Sequence, residues 1–175
     1  KQVFEPFKPL QKTCCWECAL ALVQKKRMAE EVKADRKEIK LRKEKLKTKR
    51  EYTKEAQIAF NAYIRERDKA QPCICCGKQL ASDACGGSFD CGHYRSVGSA
   101  PHLRFDERNA HAQRKQCNRW GAGRSVDYRL GLINRIGLEA VEELEADQTP
   151  KNYTIDDLRA ITACYRAKLK GLKNV

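Results

Sequence analysis

A mainly α-helical fold, with one small zinc-stabilised core rich in Cys and His and a long basic N-terminal helix, is predicted from three observations. Ala19 to Gln71 contains neither Gly nor Pro, and its residues are mostly Ala, Leu, Glu, Lys, Arg and Gln, the strong helix formers. All three histidines, His93, His102 and His111, fall between Phe89 and Trp120, beside Cys91 and Cys117. The last fifty or so residues carry amphipathic runs and a helix-capping signal. At 175 residues the chain fits one compact unit plus extensions, with room for a small core only.

Charge narrows the partner class. Charged residues make up 34%, and mean hydropathy is -0.74. The formal net charge of +13 is the footprint of a nucleic-acid binder, because each neutralised phosphate releases condensed counterions. No run of 18 or more apolar residues is present and no signal-peptide pattern is visible, so the expectation is an intracellular protein without a membrane span. In a reducing compartment, ten cysteines favour metal binding over disulfides.

Four regions are expected: 1–18, 19–71, 72–124 and 125–175. The first holds Pro6, Pro9 and the thiols Cys14, Cys15 and Cys18. Cys15-x-x-Cys18 at the mouth of a helix has the spacing of half a tetrahedral zinc site. Its other half is not visible nearby, leaving three readings open: a preceding knuckle absent from this sequence, thiols shared with another chain, or small buried hydrophobes. The helical arm of 19–71 is expected to break near Tyr52-Thr53. Between Gln24 and Arg50 it carries 13 Lys or Arg against 5 Asp or Glu, with apolar residues too sparse for a packed stripe. That stretch reads as a solvated arm, a weak coiled coil or a basic rod along a phosphate backbone, and the sign bias favours DNA. Beyond Thr53, the residues Ile58, Ala59, Ala62, Tyr63 and Ile64 form a stripe that should dock on the core, and Pro72 ends the helix. Past the core, Val126–Ile136 and Leu138–Leu144 read as short helices parted at Gly137. Thr154-Ile155-Asp156-Asp157 reads as a capping box, with Asp for the usual Glu, opening a last helix to about Leu172.

The chemistry lies in 72–124. Cys73-x-x-Cys76-Gly77 is a knuckle that turns two thiolates toward one metal, and Cys117 is placed to close a second knuckle. Arg114, three residues before Cys117, cannot ligate zinc; Cys91, Cys85 and Cys75 remain as fourth ligand, with Cys91 preferred, and an open or degenerate site is the other reading. Phe89–Arg95 and Leu103–Asp106 look like two strands joined by a loop containing Gly98 and Pro101. Strand, loop, strand and helix bracketed by zinc knuckles resembles the ββα-metal module of HNH (His-Me finger) nucleases, the resemblance being carried by Gly92-His93, Asn109 and Cys117-Asn118. It implies His93 as general base, Asn109 as a brace, and Asp90 with Asn118 as ligands of a catalytic Mg2+ or Mn2+, with His111 touching the phosphate or the metal. Each role has a physical need: His titrates near neutrality, and a divalent ion can polarise a phosphate. His102 is read as an ordinary loop residue.

A closer resemblance is carried by Ala62-Tyr63-Ile64-Arg65-Glu66-Arg67-Asp68, Pro72-Cys73-Ile74-x-Cys76-Gly77, Asp90-x-Gly92-His93-Tyr94-Arg95, Leu103-Arg104-Phe105-x-Glu107-Arg108-Asn109-x-His111, Cys117-Asn118, and Tyr128-Arg129 through Arg135-Ile136-Gly137. In that order, and with Phe4-x-Pro6 and Cys15-x-x-Cys18, these motifs are similar to the NinG family of phages, also called Rap. The resemblance implies an endonuclease of phage recombination in the bacterial host cytoplasm that cuts branched DNA such as D-loops and Holliday junctions. The Asp, His and Cys-Asn arrangement is also similar to endonuclease VII, which implies a homodimer, here through the long helix. Lys43, Lys45, Lys47, Arg50, Arg95, Arg104, Arg108, Arg114, Lys115 and Arg119 are the expected DNA contacts. A zinc-stabilised DNA-binding factor without hydrolytic activity is the alternative. Arg114 departs from the family's usual Cys, and the first knuckle of the N-terminal ribbon is absent.

Overall fold

Helix formers dominate the N-terminal half, and the computed structural model, which describes residues 6–80, 89–121 and 123–174, realises them as two helices in two units, Lys1–Lys47 and Thr48–Val175. The division falls inside the segment 19–71 that the sequence reads as one arm. In the first unit, α1 (Trp16–Leu46) is 31 residues long and buries none of them. A helix without a packed face rests on propensity and on side chains one turn apart. Here Arg27 meets Glu31 at 3.2 Å and Arg42 meets Glu38 at 2.7 Å.

The break comes at Lys47-Thr48, several residues before the expected Tyr52-Thr53, and its cause is chemical. The Thr48 hydroxyl accepts from the Glu51 amide while the Glu51 carboxylate accepts from the Thr48 amide, a reciprocal cap that opens α2 (Lys49–Arg67). In the second unit, α2 buries Tyr52, Ala56, Ala59, Phe60 and Ile64. This corrects the expected stripe: Ile58 is 60% exposed, and Phe60 is the centre of the packed face. The helix also stops at Arg67, well before Pro72, because Asp68 turns inward to polar partners described below.

The sheet has two antiparallel strands, β1 (Phe89–His93) and β2 (Ala110–Arg114), with Cys91 opposite Ala112 and His93 opposite Ala110. The second strand was expected at Leu103–Asp106; Leu103 instead ends a 3-10 turn from Pro101, and the rest of that stretch stays irregular. Ala, His, Gln and Arg are not strand formers, yet Ala110 to Gln113 are all buried, so ladder bonds and packing on both faces override propensity.

Three helices complete the unit: α3 (Ser125–Ile136), α4 (Leu138–Ala146) and α5 (Ile155–Lys173). Thr154 and Asp157 form the expected capping box. α5 packs on α2, where the Phe60 ring meets Tyr165 edge-on at 4.9 Å and Phe105 at 5.8 Å. A second cluster joins Ile74 and Leu103 to Tyr128 and Leu132 of α3 and to Val141 and Leu144 of α4. No helix among the described residues is long and apolar enough to cross a membrane.

α3 approaches the first knuckle closely. A Cβ on Gly131 would lie 1.8 Å from the Ile74 carbonyl oxygen, in contact with backbone that cannot rotate away. Gly131→Ala should therefore lower stability by about 1–3 kcal/mol, read as a fall in the urea midpoint at constant slope. An unchanged midpoint would mean that α3 does not press on the knuckle.

Candidate active site and metal centre

The knuckle is built by local backbone. Gly77 takes φ +66, a conformation that side chains disfavour, so its amide can reach the Cys73 carbonyl at 3.0 Å. Cys73, Cys76 and Cys117 then converge, all three sulfurs within 4.8 Å of one another. The Arg114 amide donates to Cys73 Sγ at 3.3 Å. A hydrogen bond from Cys75, with the Arg114 and Cys76 amides, outweighs burial and lowers the Cys73 thiol to about 4, which favours the thiolate a metal needs. Three converging thiols suit zinc, and they fit the expected ligands Cys73, Cys76 and Cys117. The preferred fourth ligand, Cys91, is not with them: it packs beside Phe60 and Ala110 in the apolar core, where burial raises its pKa. Cys75 hydrogen-bonds to Cys73 and accepts from the Gln113 amide at 2.8 Å but is not one of the three converging thiols, and Cys85 lies outside the described residues. In the first unit Cys14, Cys15 and Cys18 form a second group of three exposed thiols, one more than the expected pair.

The hairpin places the other candidates. Asn109 is fully buried immediately before β2; its Oδ1 accepts from the Arg95 amide at 2.8 Å, and its Nδ2 donates to the carbonyls of Arg95 and Leu103 at 3.1 and 3.2 Å. It thus ties the start of the β1–β2 connection to its middle. His93, the last residue of β1, has Nε2 3.1 Å from the Arg104 carbonyl oxygen. A carbonyl only accepts, so Nε2 carries the proton and Nδ1 keeps its lone pair. Burial lowers the His93 pKa, against the opposing pull of that hydrogen bond, so the ring is neutral near pH 7. Asp90 and Asn118 are brought together, Asn118 Nδ2 donating to Asp90 Oδ2 at 3.3 Å. Arg119 also grips Asp90, through Nε at 2.8 Å and Nη2 at 3.2 Å. Asp90 and His93 are three positions apart on β1 and project to opposite faces, with no hydrogen bond between them. The carboxylate and amide oxygens suit a divalent cation, which would compete there with Arg119.

His111 takes a different place from the one expected. It is 3% exposed, on the β2 position opposite Gly92. Its Nε2 donates to the Arg108 carbonyl at 3.2 Å and its Nδ1 accepts from Arg67 at 3.0 Å, with Asp68 at 3.5 Å and Arg135 at 3.4 Å. Both nitrogens are engaged inside the protein, so the ring takes part in the packing of the unit. Burial would raise the Asp68 carboxyl, but Arg67 and the Ala112 amide outweigh it and hold it well below the usual carboxylate range. Burial pushes His111 down, helped by Arg67 and Arg135 and opposed by Asp68.

The family described as Bacteriophage Lambda NinG protein matches residues 1–174. The chain belongs to the NinG family. It is 45% identical to the protein ninG of Escherichia phage lambda over 188 aligned positions, covering 99% of this chain and 90% of the relative. With the protein ninG of Salmonella phage P22 the identity is 44% at the same coverage, and with that of Escherichia phage 933W it is 41%, covering 91% of the relative. No solved structure matches.

Several basic residues of this NinG-family chain are occupied. Arg95 donates to the carbonyls of Leu144, Glu145 and Asp147, Arg104 to Gln57, Arg108 to Asp106 and Glu143, and Arg119 to Asp90. Lys43, Lys45 and Arg50 are exposed, Lys47 pairs with Glu44, and Arg114 and Lys115 are half-buried. The sequence reading assigned no role to Arg67, Asp68 and Arg135; their signal was an Arg-Asp pair at a helix end, which resembles any solvated pair until the fold buries it.

Zinc should accompany the purified protein at no less than about one ion per chain, and Cys117→Ser should lower that content and the melting temperature together. Metal analysis finding none would remove the thiol-centre assignment. A pH response follows from the depressed pKa values of His111 and Asp68. Both groups bind protons more readily unfolded than folded, so their contribution to stability is complete above the ordinary imidazole range and is lost as acid takes pH through it, His111 before Asp68. The urea midpoint should drop between about pH 7 and 5, and His111→Gln should make that drop shallower; an equal slope in both proteins would contradict the assignment.

Proposed function

We propose that this chain is a divalent-metal-dependent endodeoxyribonuclease that cuts branched recombination intermediates such as Holliday junctions and D-loops, with an HNH-like core similar to endonuclease VII. The observation that carries this reading is the buried Asn109 clamp. It holds the connection in which the Arg104 carbonyl fixes the His93 tautomer, leaving Nδ1 as the available base. Burial keeps that ring neutral, so Nδ1 can take a proton from the attacking water. Asp90 and Asn118 would hold Mg2+ or Mn2+, which when bound polarises the phosphate and stabilises the departing 3′ oxygen. The net charge of +13 supports a phosphate-rich partner, and Lys43, Lys45 and Arg50 lie exposed where a backbone could reach them. A homodimer would pair through α1, where Val32, Ile39 and Leu46 recur every seven residues and are exposed.

One observation favours the second reading, a zinc-stabilised DNA-binding factor without hydrolysis: Asp90 is held by Arg119 and faces away from His93. Cleavage of a labelled four-way junction beside linear duplex, with Mg2+ or EDTA, separates the two. His93→Ala and Asp90→Asn should each slow metal-dependent cutting by about 10²–10⁴ while leaving junction affinity unchanged. Wild-type protein that binds the junction tightly and never cuts it would establish the binding factor.

A further inference from the structure

Beside the thiol centre, a pocket of about 370 Å³ is walled by Cys76 and Cys117 and rimmed by Lys78, Arg114, Arg124 and Trp120. Its composition is unusual in three ways. Trp120 is 78% exposed at the end of the single π-helical turn Gln116–Trp120, although indole normally withdraws much of its surface from water. No carboxylate lines the pocket among the described residues, and Lys78 and Arg114 have no ion-pair partner among them. Arg124 holds a left-handed backbone, φ +48, uncommon for a residue with a side chain and kept where function rewards it. It makes a loose pair with Asp127 at 3.6 Å, both side chains half in solvent.

We infer that this pocket takes one unpaired nucleotide of single-stranded DNA, its base stacked on Trp120 and its phosphates held by Lys78, Arg114 and Arg124. A paired base already has stacking neighbours above and below; a base freed at a branch, gap or flap has an open face, and an exposed indole beside cations is the platform such a base finds. Arg114 adds a further reason. A zinc ion held by three thiolates would leave a single net negative charge, and the Arg114 side chain lines the same pocket as Lys78 and Arg124, so the surface would attract phosphate instead of repelling it. The inference rests on the proposed DNA partner but not on hydrolysis, and it supplies a means of choosing branched over continuous duplex.

The test uses the zinc-loaded chain with Trp16→Phe, which leaves Trp120 as the reporting tryptophan. It is titrated with a short oligothymidylate, the corresponding duplex and an oligouridylate of equal length. The oligothymidylate should quench Trp120 emission, and Trp120→Ala, read by fluorescence anisotropy of labelled DNA, should weaken single-strand binding about tenfold, with Trp120→Phe near wild type and duplex affinity unchanged. Lys78→Ala and Arg114→Ala should each reduce the salt slope of single-strand binding by roughly 0.7. Single-strand binding that leaves Trp120 emission and the Trp120→Ala affinity unaltered overturns the pocket and leaves the DNA reading standing. Failure of the folded wild type to bind any of the DNAs overturns both. A tenfold preference for the oligouridylate overturns the assignment to DNA.

Discussion

The buried carboxylate of Asp68 is the constraint around which the second unit is arranged. It is 4% exposed and touches three elements at once: Arg67 of α2 at 2.7 Å, the Ala112 amide of β2 at 2.9 Å and Arg135 of α3 at 3.5 Å. A charge so placed must be matched, and removing one member of such a set costs about 3–5 kcal/mol because the others stay buried without partners. Arg135 carries the connection onward by donating to the Pro72 carbonyl at 3.0 Å, immediately before the first knuckle. The helix end, the strand, α3 and the knuckle are thereby held to one another by charge-assisted bonds, while apolar clusters lie on either side.

That frame explains how a short two-stranded sheet can carry precise geometry. An isolated hairpin is marginal in water, and this one has a long irregular connection. Side chains from outside the connection bind its backbone: Tyr165 donates to the Phe105 carbonyl and Tyr153 to that of His102, each at 3.1 Å, while Asn109 bridges Arg95 and Leu103 from the far end. His93 is positioned by the same connection, through Arg104. Tyr128 of α3 adds a bond to the Gly92 carbonyl at 3.0 Å, fixing the strand next to the candidate base. Rigid supports of this kind hold Asp90 and His93 in set places on β1.

The two units differ in what stabilises them. α1 has no core and depends on its own turns, so its helicity follows salt and temperature as a charged peptide's would. The second unit has packed aromatic contacts and a buried ionic set. Exposed cations lie on α1 and at the rim of the thiol centre, whereas the arginines of the hairpin region are mostly committed to internal bonds.

What the sequence determined by itself was whatever depends on neighbours along the chain. The helix formers of α1 and α2, the Thr154-Asp157 cap, the break at Gly137, and the Cys73, Cys76 and Cys117 spacing were all legible, because propensity, capping and knuckle turns are local. The Thr48-Glu51 cap was equally local and still missed, since a helix-forming run on either side concealed it. Tertiary structure decided what depends on burial. It made Ala110–Arg114 a strand against its propensity, rotated the packed face of α2 onto Phe60, took Cys91 into the apolar core, and turned His111 from a candidate phosphate contact into part of a buried ionic set. Sequence spacing gives the residues that can meet; which of them lose water when they do is fixed only by the packing of distant elements, and that loss sets their charge, their partners and their chemistry.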